Sequence, residues 1–190
     1  MYNNSKEKVN DMTKRPNIIH IHVESMDGRK MGCMGNEAMK DATPNLDQLA
    51  ADGMLFTNAY STFPVCNPSR ASMWSGKYPH YYDCWNNHEG LTDDISTFRD
   101  RLNEAGYITE AIGPLDYQYG LHSIRDRVGS WTRSANIHRP LSTTPMPCIH
   151  ENEEDIYRAD WNRIYHSINW LEEVKDEESP FMLYLTTGLV

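Results

Sequence analysis

Phe63-Pro64-Val65-Cys66-Asn67-Pro68-Ser69-Arg70-Ala71-Ser72-Met73-Trp74-Ser75-Gly76-Lys77 sets a single cysteine at the mouth of a short helix and an arginine one turn in. Pro64 ends whatever extended segment precedes it, and Pro68 suits a first helical turn, where its missing N–H costs nothing. Free backbone N–H groups and the helix dipole favour an anion at such a terminus, and Arg70 adds a full positive charge. A group at position 66 is thereby activated as a nucleophile, and an anion it attacks is held by the same field. The same local features suit a buried, inert cysteine at a helix start equally well.

Around this stretch the chain reads as a succession of strands and helices. Asn17 to Val23 (NIIHIHV) has the short, β-branched, nearly continuous apolar character of a strand buried in a parallel sheet. It ends in Glu24-Ser25-Met26-Asp27-Gly28-Arg29. Strand ends line the ligand crevice of open α/β sheets, so Glu24 and Asp27 are candidate ligands for a hard cation, against the alternative of a solvated turn. Thr43 to Gly53 predicts a helix with Thr43 as N-cap, Pro44 at its first position and Gly53 as its stop. Met54 to Tyr60 predicts a strand feeding the Cys66 loop. Asp94 to Ala105 predicts an amphipathic helix with Ile95, Phe98 and Leu102 inward, and Tyr107 to Ile112 a following strand.

Gly113 to Ser130 is loop-rich and carries Asp116, Tyr117, His122, Arg125 and Arg127; an irregular excursion follows over residues 134–146. Glu153 to Val174 predicts a long helix, because Tyr157, Trp161, Ile164, Ile168 and Leu171 recur at helical spacing and form a core stripe. Pro180 to Thr187 predicts a last buried strand. The succession implies an α/β fold, a mostly parallel sheet covered by helices on both faces.

Composition narrows the function classes. With 190 residues, 39% of them hydrophobic, the chain can bury one sizeable core, so residues 16–190 are read as one domain behind a polar tail, residues 1–15. A net charge of −9 without a basic tract argues against a nucleic-acid partner. No run reaches the roughly 18 apolar residues of a membrane span, and the N-terminus lacks the apolar stretch of a signal peptide; a cytoplasmic chain without membrane partners is the expectation. Cys33, Cys66, Cys84 and Cys148 form no CxxC pair, so neither a zinc knuckle nor a disulfide scaffold is signalled.

Cys66-x-Pro68-Ser69-Arg70, followed by Ser75-Gly76, resembles the signature of the type I sulfatases, with Ser75 where that family usually has Thr. The resemblance extends through Pro16-Asn17, acidic Glu24, the TPNLDQLAADG helix and MLFTNAYS. It is narrower at Ser25-Met26-Asp27-Gly28-Arg29, Trp85-Asn86-Asn87, Gly90-Leu91, Leu115-Asp116-Tyr117, His122-Ser123 and Trp131-Thr132-Arg133, which are similar to the arylsulfatase K-like branch of glucuronate-2-sulfatases. It implies an alkaline phosphatase/sulfatase-like fold, incomplete at its C-terminus, because the family continues past Val190 to further metal ligands. The chain thus looks like the N-terminal portion of a catalytic domain.

In that family the cysteine is oxidised to formylglycine by a maturase that reads the same pentapeptide, here Cys66, Pro68, Ser69 and Arg70. The resemblance implies Glu24 and residue 66 as ligands of Ca²⁺ or Mg²⁺, Arg70 as the group that holds and activates the hydrated aldehyde, and His122 as proton carrier. Asp27, Arg29, Asp116 and Tyr117 are the implied contacts to a sulfated small molecule or saccharide. The implied chemistry is attack of one hydroxyl of the hydrated aldehyde on the sulfur of a sulfate monoester, loss of the alcohol, and expulsion of sulfate by the other hydroxyl. Three departures stand against the pattern: Glu24 replaces an Asp and Ser25 a second Asp, Pro114 replaces the family Lys, and the downstream ligands are missing.

Two rival readings remain at this point. His20 and His22 share one face of a strand, as in metal-dependent amidohydrolases, although the chain falls short of the roughly 250 residues of a barrel. A truncated chain that binds metal or sulfate without turnover is the other.

Overall fold

A computed structural model describes residues 15–24, 26–117 and 158–188. The expectations that fall on the polar tail up to residue 14, on Ser25, on His122, Arg125 and Trp131-Thr132-Arg133, on Cys148 and on the start of the long helix lie outside the described residues.

Three strands make the sheet: β1 (Ile18–Val23), β2 (Ile108–Ile112) and β3 (Phe181–Thr187). The strand order is β1-β3-β2 and both pairings are parallel, with Ile18 opposite Met182 and Ile108 opposite Phe181. The last strand in sequence therefore lies in the middle. It is the most apolar of the three, and residues 182–187 are all buried.

The helices are α1 (Pro44–Asp52), α2 (Cys66–Ser75), α3 (Phe98–Glu104) and α4 (Arg158–Val174). Side chains alternate across a strand, so β3 offers Met182 and Tyr184 to one side and Leu183 and Leu185 to the other. Ala71 and Trp74 of α2, with Cys84 and Leu91, bury the first face; Phe98 and Leu102 of α3 pack beside them. The Trp74 ring lies between those of Phe98 and Tyr117, at centroid distances of 4.5 Å and 4.5 Å, and tilts over Tyr184 at 4.8 Å. On the second face Ile112, Leu183 and Leu185 meet Ile164, Trp170 and Leu171. An α/β sheet with helices on both faces is what the element pattern implies.

Several local expectations are corrected. β1 is an edge strand. Its His20 and His22 face the α2 side, while Ile19 and Ile21, 53% and 60% exposed, face the other side beyond the reach of α4. Met54 to Tyr60 forms no strand and lies exposed, because none of the three strands is its neighbour and an unpaired strand leaves its N–H and C=O groups unsatisfied. α3 starts later than expected, since Thr97 caps it in a reciprocal pair with Asp100. Thr43 sits at the α1 N-cap position, but its hydroxyl serves Gly32 N–H and Asp47.

In α4 the inward face runs through Asp160, Ser167 and Val174, with Trp170 packed on the sheet and Ile168 turned half out. Asp160 takes the Gly188 N–H on both carboxylate oxygens, at 3.0 Å each, and binds Arg163 at 2.6 Å. This buried carboxylate ties the end of β3 to the start of α4. The expected core stripe ignored it because apolar periodicity does not register a polar tether.

Candidate functional site

Two element ends meet here, the C-terminal end of β1 and the N-terminal end of α2. Glu24 prolongs the β1–β3 ladder through its N–H to the Thr187 carbonyl, 2.8 Å. Cys66 is the first residue of α2, and Gly76 closes the helix in the left-handed region. Cys66 and Arg70, four residues apart, lie on one face of the helix.

Arg70 is 3% exposed. One end of its guanidinium donates to Glu24 Oε2, and the other donates to the Pro114 carbonyl at 2.7 Å and stands 3.9 Å from Asp116 Oδ2. Pro114 is reached by a tight exit from β2: Gly113 has φ +97°, and a Cβ there would lie 2.5 Å from the Thr186 carbonyl oxygen. Asp116, itself buried, holds φ +47°. The position read as the loss of a lysine thus contributes a backbone acceptor to the arginine.

Glu24 reaches both partners, since its Oε1 accepts from the Cys66 thiol at 3.9 Å. Burial pushes the Cys66 thiol up and the Asp116 charge adds to this, against its own backbone N–H and the Asn87 side chain, which lower it. As a thiol, then, residue 66 is neutral and not the activated nucleophile its helix position suggests: desolvation outweighs the helix terminus.

Val65 offers no side-chain cap to α2. The Asn67 N–H is instead taken by Asn87 Oδ1 at 3.0 Å, and the Asn67 side chain donates to the Glu89 carbonyl. A cleft of about 570 Å³ opens over the site, lined by Glu24, Cys66 and Arg70 together with His22, Phe63 and Asn87. His22 is lowered to about 4 by burial first, then by the charges of Arg70 and His20.

The structure brings Glu24, Cys66, Ser69 and Arg70 to this cleft, with Asp116 behind the arginine and Pro68 buried in the first turn of α2. Asp27 and Arg29 do not line it; they pair with each other, Nη2 to Oδ2 at 2.5 Å, and hold Asp27 at about 2. Tyr117 lies in the core against Trp74 and not at the cleft. Phe63, Asn87 and the Pro114 carbonyl are cleft and support groups that the reading of residues by type did not select, and His22, read there only as a metal ligand beside His20, lines the cleft. The WNN stretch was visible in the sequence, but nothing in it says which asparagine turns toward α2.

A hard cation takes six or more oxygens. Both Glu24 oxygens are already engaged by Arg70 and Cys66, and among the described residues no three His, Cys, Asp or Glu side chains converge to hold an ion. The described residues do not by themselves make such a site. Among the described residues His20 and His22 find no third ligand, and their three strands form an open parallel sheet, so this geometry lends the amidohydrolase reading no support.

The family model described as Sulfatase matches residues 16–188. Arylsulfatase K of Canis lupus familiaris is 36% identical over 177 residues, covering 92% of this chain and 33% of that protein. The chain spans about a third of the length of the curated relatives it matches. The phosphonate monoester hydrolase of Agrobacterium radiobacter shares the fold, with a TM-score of 0.69 at 20% identity over 92% of this chain and 41% of that one. BT4656, solved in complex with its substrate D-glucosamine-2-N,6-O-disulfate, aligns with a TM-score of 0.63 at 25% identity over 91% and 34%. The family match takes in every strand and helix that builds the cleft, and the chain belongs to the sulfatase family.

Proposed function

We propose that the complete protein of which this chain is a part hydrolyses a sulfate monoester of a saccharide, with residue 66 as covalent nucleophile after oxidation of Cys66 to formylglycine by a maturase. The observation that carries the reading is the Cys66–Glu24–Arg70 arrangement: one carboxylate spans the first residue of α2 and a buried arginine. The Arg70 charge and the α2 terminus stabilise negative charge developing on a bound sulfate. Glu24 orients the guanidinium and faces residue 66. A divalent cation, Ca²⁺ or Mg²⁺, would add electrostatic stabilisation, with most of its ligands from outside the described residues. His122 is the proposed proton carrier. Support for a saccharide comes from the sulfated sugar bound to BT4656.

The intact mass of the peptide containing residue 66, from the native host, tests the reading. Conversion to formylglycine lowers it by about 18 Da, since a carbonyl oxygen replaces SH and H. An unmodified cysteine in an active enzyme overturns it. A second reading, a chain that binds anions without turnover, is favoured for these 190 residues alone, because the described part of the site lacks a cation cage.

A further inference from the structure

The geometry points to Trp85, edge-on to Phe63, as the platform on which a pyranose ring of the substrate stacks. This deepens the proposed function and rests on it for the identity of the group being cleaved. The loop that carries Trp85 is pinned at nearly every residue. Buried Cys84 donates its N–H to the Pro79 carbonyl at 3.2 Å, and the Trp85 N–H goes to Glu89 Oε2 at 2.5 Å. Asn86 Oδ1 takes the His88 N–H at 2.8 Å, Asn87 caps α2, and the Leu91 N–H reaches the Tyr117 carbonyl at 2.7 Å. A backbone held this firmly nevertheless leaves Trp85 49% exposed. Its ring lies 6.1 Å from that of Phe63 at 61°, and Phe63 lines the same cleft as Cys66.

An edge-to-face pair leaves ring faces open, and the electron-rich face of an indole attracts the polarised C–H groups of a sugar ring. The rest of the cleft wall sets Ser61, Ser69 and Asn87 among apolar Val23, Met26, Pro64 and Val65. Ser61 and Ser69 hydroxyls lie 2.9 Å apart, and the Asn87 amide faces the cleft. A pyranose, with one C–H face and a rim of hydroxyls, matches an aromatic step beside amide and hydroxyl groups.

The test compares the intact natural protein with its Trp85→Ala and Trp85→Phe variants on a heparin-derived sulfated disaccharide and on 4-nitrophenyl sulfate. For Trp85→Ala the disaccharide KM should rise about tenfold, as expected for the loss of one stacking contact. Its kcat/KM on the aryl sulfate should stay within about twofold of wild type, and Trp85→Phe should recover most of the loss, if stacking and not folding is what changed. Equal losses on both substrates, or none on either, overturn the platform. If the wild-type protein cleaves neither substrate, saturation-transfer NMR with the same disaccharide decides. Transfer to the pyranose protons that disappears in Trp85→Ala keeps the platform and sinks the sulfatase reading; no transfer in wild type sinks the platform.

Discussion

Arg70, buried in α2, donates to the carboxylate of Glu24 at the end of β1, forty-six positions away in sequence. The pair fixes the angle between the helix that carries Cys66 and the edge of the sheet. Because the guanidinium also serves the Pro114 carbonyl, one side chain gathers the ends of β1 and β2 at the start of α2.

Arg70→Ala should therefore destabilise the fold as well as silence the site. Breaking a buried pair costs about 3–5 kcal/mol, and the lower end applies because Glu24 remains 32% exposed to water. Arg70→Lys should lose about half of that, since an ammonium cannot serve Glu24 and Pro114 from two ends of a planar fork. Urea unfolding measures the stability. Full retention of both stability and sulfatase kcat by Arg70→Lys would remove the role assigned to the fork.

Unmodified Cys66 should behave as a sluggish thiol. Burial raises its pKa, so iodoacetamide labelling at neutral pH should lag behind that of a free cysteine and accelerate only as pH climbs beyond the usual thiol range. Cys66→Ala should leave the fold intact and abolish sulfate ester hydrolysis by the whole protein. Peptide-resolved labelling against pH, with turnover of an aryl sulfate, reads both.

Acid should loosen the β1 edge. His22 is lowered from 6.5 to about 4 in the folded chain, so between those values the unfolded state binds more protons and stability rises with pH. The stabilisation is complete above pH 6.5 and is lost as pH falls toward about 4. Solvent in the cleft screens much of it, leaving roughly 1 kcal/mol. His22→Gln should flatten the pH dependence of the urea midpoint in this window. His20, lowered by burial as well, should account for part of what remains.

Asp160→Ala should cost about 2 kcal/mol, because it strips two hydrogen bonds from the Gly188 N–H and frees the end of β3 from α4. Asp160→Asn keeps one acceptor and should lose about half as much. Amide exchange at Gly188 is the direct readout: protection there that survives Asp160→Ala would place the tether elsewhere.

Much of the architecture was legible before any coordinates. Short apolar, β-branched runs suffice for the strands, the proline pair for the start of α2, and Thr43, Pro44 and Gly53 for α1, because these signals act within a few residues of one another. The Cys66 to Gly76 signature likewise names the site's first residue and its arginine. Met54 to Tyr60 shows the limit: its residues favour a strand, yet a strand exists only by pairing, and the sheet offers it no neighbour.

What only the tertiary structure decided follows from the same contrast between near and far. It turned the histidines of β1 toward α2 and two of its isoleucines outward, put the last strand in the centre, sent Tyr117 into the core and set Asp27 on Arg29. It also made Asn87 the cap of a helix that starts twenty-one positions earlier, and gave Pro114 a use through its carbonyl and not its side chain. By itself the sequence determined which groups the chain owns and the local turns that present them. Burial and pairing across tens of residues decided which of those groups meet, since a buried charge or a free N–H takes whatever partner the packed fold brings within reach.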